Sequence, residues 1–182
     1  MIEHALEFIR KSLEKHLDGT PDVVIDSARK FTKEENPGAV ITLINVQEET
    51  ALRNTPHVER RGGQAHYVEP PVYVNLFLLF AFDFPTYATS LAHLSDTLEL
   101  FQSRRWFGAE NAVADNPFPA GLEKLVVEVV NLGFEELNNL WGVLGGTYLP
   151  SIVCKFRLVK IQAGNAAVAP EVQSVGLSLV VP

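Results

Sequence analysis

The run from Val72 to Phe82 (VYVNLFLLFAF) constrains the fold more than any other part of the sequence. It is apolar at odd and even positions alike, so a β-strand built from it would have no face suited to water. It is also far too short to span a bilayer, which takes about 20 residues of helix. The sequence therefore predicts a central strand in a sheet that is covered on both faces.

Periodic segments on either side of this run predict an α+β domain. Helices are predicted where apolar residues recur three and four positions apart. Their stripes are Ile2, Leu6, Ile9, Leu13 and Leu17; Tyr87, Leu91, Leu94, Leu98 and Phe101; and Phe134, Leu137, Leu140, Trp141 and Leu144. Further strands are predicted at Val23–Ile25, Ala39–Val46, Leu125–Val129, Ile152–Leu158 and Val175–Val181. This order fits a mixed or mainly antiparallel sheet of four to six strands with three helices packed on it.

Length and charge limit the function classes. The chain has 182 residues, 47% of them hydrophobic, and we expect residues 1–182 to form a single domain. A net charge of −7 without a basic stripe argues against a nucleic-acid-binding surface. The amino-terminal sequence is charged throughout, which predicts neither a signal peptide nor a membrane span. The single cysteine, Cys154, lies in an apolar run and is predicted to be a buried thiol, consistent with the cytoplasm.

Irregular segments separate the predicted elements. A polar connection, ETALRNTPHVERRGGQAHYVEPP (49–71), is long for a compact domain, and such loops are often functional. The stretch SRRWFGAENAVADNPFPAG (103–121) is also read as irregular, with aromatic residues at the surface. A third, AGNAAVAP (163–170), is read as a small-residue loop. We expect the first two to contact other molecules.

Catalytic and cofactor motifs are not recognisable. Gly145 and Gly146 follow a predicted helix and lack the lysine of a phosphate-binding loop, so they are interpreted as a helix end. His57 and His66 share the long connection but lack zinc-ligand spacing, and no GxSxG motif is present. The prediction is no catalytic residue, no cofactor and no metal site. A small cytoplasmic enzyme that uses the two histidines stays open as an alternative, as does a ring-stacking site at Trp141 and Tyr148.

Three segments together resemble a known family. They are ITLINVQEETALRN (41–54), PPVYVNLFLLFAFDFPTYATSLAHLSDTLELFQ (70–102) and FEELNNLWGVLGGTYLPSIVCKFRLVKI (134–161). In the last, a helix, Leu-Trp, Gly-Gly, Tyr-Leu-Pro-Ser and a strand follow in a specific order. The chain resembles the N-terminal domain of the tail-cap, or tail-terminator, proteins of contractile injection systems, such as the Photorhabdus virulence cassette and the antifeeding prophage.

The resemblance implies a tail-terminator-like fold and a structural function. Such a subunit forms a homo-oligomeric ring, a hexamer, that binds the last ring of inner tube and the last sheath layer and stops polymerisation. It has no enzymatic activity, nucleic-acid partner or membrane partner. It is cytoplasmic during assembly and then part of a particle that can be released from the cell. A baseplate or sheath-initiating adaptor subunit is the alternative within such particles.

Contact residues are predicted from the irregular segments and the last strand. Basic doublets and paired aromatic residues are favoured at contacts, and an exposed strand readily pairs with a neighbour's sheet edge. The predicted interface residues are Arg53, Arg60, Arg61, Trp106, Phe107, Val175, Leu177 and Leu179.

Overall fold

The computed structural model of the chain describes residues 1–17, 23–31, 38–50, 58–61, 64–68, 71–145, 147–161 and 166–168. Within these ranges lie four helices, α1 (Ile2–His16), α2 (Ala28–Phe31), α3 (Tyr87–Ser103) and α4 (Phe134–Leu144). The strands are β1 (Val23–Ile25), β2 (Gly38–Glu48), β3 (Val58–Arg61), β4 (Gln64–Val68), β5 (Val72–Asp83), β6 (Trp106–Phe107), β7 (Leu125–Val130), β8 (Ser151–Ile161) and β9 (Ala166–Val168).

Six strands form the main sheet, in the order β1-β2-β5-β8-β7-β6. β1 runs parallel to β2 and every other pair is antiparallel, so the sheet is mixed. The prediction of an α+β domain with up to six strands and three principal helices is confirmed, with α2 as an additional single turn.

β5 is the central strand that its sequence predicted. It pairs with β2 on one side and β8 on the other. Leu76, Leu78 and Phe80 face one apolar cluster, whereas Leu79 and Ala81 face a second. Helices α1 and α3 cover the first face, and α4 and α2 cover the second. The sheet is therefore buried on both sides, as an uninterrupted apolar strand requires.

α3 is the helix whose orientation differs from its predicted stripe. Ser90, Thr97, Leu100 and Phe101 are buried against the sheet, whereas Tyr87, Leu91 and Leu98 are exposed. The buried hydroxyls are satisfied locally, because Thr97 Oγ1 donates to the His93 carbonyl oxygen at 2.7 Å and Ser90 Oγ accepts from the Phe84 nitrogen at 3.2 Å. Small side chains with satisfied hydroxyls let the helix approach the sheet closely, and Leu91 and Leu98 turn toward solvent while Leu94 packs against the core.

α4 follows its prediction at both ends. The Gly133 nitrogen donates to Glu136 Oε2 at 2.8 Å, which caps the first turn. Gly145 has φ of 120°, the left-handed conformation expected just past a helix. Trp141 is buried against the sheet, but Phe134, predicted on the same stripe, is 95% exposed.

β8 carries an irregularity that the alternating sequence pattern did not show. Cys154 and Phe156 are buried as predicted, and Leu158 was expected next. The register shifts opposite β5, between Val74 and Leu76, and Val159 is buried beyond this irregularity.

Two segments that were predicted as loops contain the strands of a second sheet. β3, β4 and β9 pair antiparallel in that order. β3 and β4 lie inside the 49–71 connection, and β9 lies inside 163–170, so neither segment is simply a loop. The missed signal is the Gly62–Gly63 pair between VERR and QAHYV, a sequence typical of a two-residue hairpin connection. The predicted strand at 175–181 lies outside the described residues.

Candidate functional site

The predicted contact residues fall into two sheets. Arg60 and Arg61 are in β3, where they pair with Ala65 and Gln64 of β4. Trp106 and Phe107 form β6, at the edge of the main sheet. The other predicted contact residues lie outside the described part of the chain: Arg53, Val175, Leu177 and Leu179.

The β6 segment is ordered by local hydrogen bonds and divides its two aromatic residues between core and surface. Asn111 accepts from the Gly108 nitrogen and donates to the Trp106 carbonyl oxygen at 2.8 Å. Phe107 is only 1% exposed and packs edge-on against Phe8. The expectation that both aromatics lie at the surface is thus corrected, because Phe107 is a core residue. Trp106 is half-buried, with Lys124 Nζ 4.4 Å from its ring centre.

β7 has an open outer edge. β6 pairs only with its first two residues, Leu125 and Val126, and the Val127 nitrogen then donates to the Arg105 carbonyl oxygen at 2.9 Å. Within the described ranges, no backbone hydrogen bond reaches this edge beyond Val127. Unpaired backbone groups of this kind are a template for another strand.

A groove lined half by apolar and half by polar or charged residues runs beside the open edge, between α3 and β7. Its volume is about 850 Å³. It is lined by Leu98, Glu99, Phe101, Gln102, Arg105, Val127, Glu128 and Val129. Leu98 and Val129 are both exposed, although each is apolar. The groove exists because α3 leaves Leu98 exposed and β6 is too short to cover β7.

β1 forms the opposite edge of the same sheet. Val24 and Ile25 are exposed there, and Arg10 donates to the Val23 carbonyl oxygen at 3.4 Å. A shallower groove of about 380 Å³ separates this edge from α4. The main sheet therefore presents a different apolar edge at each end.

A polar network crosses the sheet next to the α4 layer. Arg157 of β8 donates to Glu128 of β7 at 2.9 Å and to Glu49 at 3.3 Å. Asn75 of β5 donates to the same Glu49 oxygen at 3.1 Å. The hydrogen bond with Glu128 is the main reason that the Arg157 pKa is raised. The network links β5, β7 and β8, and its charged groups make this part of the face hydrophilic.

The described residues offer little for catalysis. Cys154 is fully buried in the core, and desolvation raises the pKa of its thiol from 9.0 to about 12, so it is not a thiolate near neutral pH. Its predicted burial is confirmed. His66 lies in β4 opposite Val168, whereas His57 lies outside the described residues. Across the described ranges, no three His, Cys, Asp or Glu side chains are grouped to hold a metal, and no helix there is long and apolar enough to cross a membrane.

The solved structures that share this fold include two tube terminators. One is the sheath/tube terminator, in its extended state, of PVC, an extracellular contractile injection system: 16% identity, TM-score 0.63, 96% of this chain and 63% of that chain covered. The other is the anti-feeding prophage cap, described as a tube-terminating cap: 15% identity, TM-score 0.70, 96% of this chain and 60% of that chain covered. This chain thus spans about three fifths of each solved chain. A comparison with curated protein sequences gives no match.

The fold is accordingly that of a terminator-type α+β domain. The sequence matches the Pvc16 N-terminal domain family over residues 4–174, and the chain belongs to that family. The resemblance drawn from the sequence motifs is confirmed.

Proposed function

We propose that this chain is the structural cap of a contractile phage-tail-like injection particle. Its ring binds the last tube ring and the last sheath layer and thereby stops polymerisation. The observation that carries the proposal is the fold, which nearly the whole chain shares with a sheath/tube terminator and a tube-terminating cap. Residues 1–182 act as one tail-terminator-like domain in this proposal.

The two different edges of the main sheet support a ring. Head-to-tail contacts between unlike patches generate a closed ring when the rotation between subunits closes. The β1 edge and the β7 edge are unlike patches at opposite ends of one sheet. We propose a hexamer, following the family resemblance.

The remaining predicted contacts are assigned to the tube or to neighbouring subunits. Arg53, Arg60 and Arg61 supply charged contacts to tube or neighbouring subunits, and Trp106 supplies a half-buried aromatic surface. Nucleic acid and membrane are not partners in this proposal. The protein acts in the cytoplasm during assembly and remains in the particle afterwards.

The test is the length of assembled particles. Tube and sheath subunits are polymerised with and without the protein, and lengths are measured by negative-stain microscopy. A cap gives short, uniform particles with a ring at the end distal to the baseplate. Unchanged lengths contradict the proposal, and labelled protein at the baseplate supports the alternative, an adaptor subunit.

An enzymatic role is the alternative from a different class. It predicts an activity or a bound metal that depends on His57 and His66, and a His57→Ala variant would lose it. We propose that the chain is not an enzyme, and that His57→Ala leaves particle length unchanged. Metal bound to the purified protein at one equivalent per chain would contradict the proposal that the chain is not an enzyme.

A further inference from the structure

The strand pairing defines which backbone groups point outward from the open edge of β7. In an antiparallel pair, the backbone groups of alternate residues point to the same side. Because the Val127 nitrogen points outward to Arg105, the backbone N–H and C=O of Val129 also point outward. Among the described residues they have no backbone partner. A strand added here would continue the main sheet past the end of β6.

The side chains next to this edge differ between the two faces. Val127 and Val129 lie on the α3 face, together with Leu98 and Phe101 in the groove. Glu128 lies on the other face, where it pairs with Arg157. An added strand would therefore meet apolar side chains on one face and a charged, wet surface on the other. The segment that fits must alternate apolar and small polar residues.

Residues 172–181 (VQSVGLSLVV) have this pattern from Ser174 to Leu179, and Val180 then continues the apolar run. Val175, Leu177, Leu179 and Val181 alternate with the polar or small residues Ser174, Gly176 and Ser178. The segment has no charged side chain, so it would not place a charge in the groove. These residues lie outside the described part of the structure. The comparison is therefore between their sequence pattern and the described surface beside β7.

The path of the chain favours a neighbouring copy as the acceptor. β5 and β8 leave the main sheet at the paired residues Val72 and Ile161, and their continuations pair again as β4 and β9. Along β9 the chain runs away from that end, from Ala166 opposite Val68 to Val168 opposite His66. A segment that starts at residue 172 would have to reverse and retrace this ribbon to reach the β7 edge of its own chain.

We infer that residues 172–181 of one copy add as a strand to the open edge of β7 in a neighbouring copy, with their apolar side chains in the groove beside α3. This inference rests on the proposed self-association into a ring and names the surfaces that make it. Strand addition of this kind combines backbone hydrogen bonds with side-chain pockets. It would join successive subunits head to tail.

Disulfide trapping between two full-length variants tests the inference. Val129→Cys and Leu177→Cys chains are purified separately, mixed and oxidised. The expected result is a cross-linked dimer that requires both variants, because Cys154 is buried and contributes no background. The matched control mixes Leu177→Cys with Val24→Cys, an exposed valine on the opposite edge, and should give no such dimer.

Three outcomes would overturn the inference: trapping at Val24→Cys in place of Val129→Cys, no trapping, or, in a chain that carries both Val129→Cys and Leu177→Cys, a cross-link that forms only within that chain. A second variant tests the inference without relying on disulfide formation. Val129→Glu should raise the concentration for half-assembly by about tenfold or more, because it buries a charge at the added strand. Val72→Glu, at a position of the central strand β5 that is as exposed as Val129, should not, and equal assembly of both variants would also overturn the inference.

The trapping result and the particle-length result are independent. Trapping reports strand exchange in the purified protein, whereas particle length reports capping. Trapped dimers with unchanged particle lengths would contradict the proposed capping function but support the strand exchange. Normal capping without trapped dimers would contradict only the strand exchange.

Discussion

The side-chain amide of Asn116 donates a hydrogen bond to the carbonyl oxygen of Phe8 at 3.0 Å. The same nitrogen lies 2.9 Å from Ser12 Oγ, and Asn116 is buried. This contact ties the segment after β6 to α1, more than a hundred residues earlier in the chain. A stretch that reads as irregular in the sequence is thus fixed onto the first helix.

Asn116→Ala should lower the free energy of unfolding by about 1–2 kcal/mol, because it removes buried hydrogen bonds. Urea denaturation measures the change. The control is Asp115→Asn, next to it, whose carboxylate pairs with Lys15 at the exposed surface. That substitution should have no measurable effect. Equal effects at both positions would show that the buried amide does not stabilise the contact.

Phe107→Ala and Trp106→Ala should separate stability from assembly. Phe107 is buried against Phe8, so its truncation should cost about 3–5 kcal/mol. Trp106 is half-buried at the sheet edge, so its truncation should disturb stability less and weaken ring or tube contacts more. Thermal unfolding and particle length are measured for both. A stable Trp106→Ala protein that caps normally would remove Trp106 from the proposed interface.

Replacing Arg60 and Arg61 of β3 by Glu should leave the fold intact and weaken docking of the ring on the tube. The reason is that like charges would replace attraction at a contact with acidic partners. Circular dichroism checks the fold and co-sedimentation with tube checks docking. Lys11→Glu with Lys15→Glu, on exposed positions of α1, makes the same change in net charge elsewhere. Unchanged capping by the β3 variant would count against this contact.

Deletion of residues 171–182 should disrupt assembly while leaving the core folded. The described core is formed by residues between Ala5 and Val159, and the predicted strand in the deleted segment is proposed to pair with a neighbour. Native mass spectrometry gives the oligomeric state and far-ultraviolet circular dichroism gives the fold. A soluble, stable variant that assembles normally would rule out a role for this segment.

Cys154 should make stability fall at alkaline pH. Its folded pKa is raised from 9.0 to about 12, so the folded state holds the proton more tightly than the unfolded state. The contribution is therefore fully present below about pH 9 and is lost as pH rises from 9 toward 12, by up to about 1.4 kcal/mol per pH unit. Other groups also titrate there, so the measurement is the difference from Cys154→Val in urea denaturation. Parallel curves for the two proteins would contradict the predicted burial of the thiol.

Much of the fold was determined by the sequence alone. An apolar run such as Val72–Phe82, rich in aromatic residues and bounded by prolines, favours the middle of a covered sheet. Gly145 marks a helix end because few residues adopt its backbone conformation without strain. The family resemblance also followed from ordered local motifs. These features share a cause: each depends on residues near one another in the chain.

Tertiary structure decided the rest. α3 has the exposed line of Tyr87, Leu91 and Leu98 and, next to it, the core-facing line of Ser90, Leu94, Thr97 and Phe101, and both have helical spacing. Only close packing against the sheet selects the second line, and this leaves Leu98 exposed in the groove. Likewise, Phe107 is buried because α1 lies over it, and the β7 edge is open because β6 ends after two residues. Periodicity gives the faces of an element, but the contacts of distant elements decide which face is covered and which edge is left for a partner.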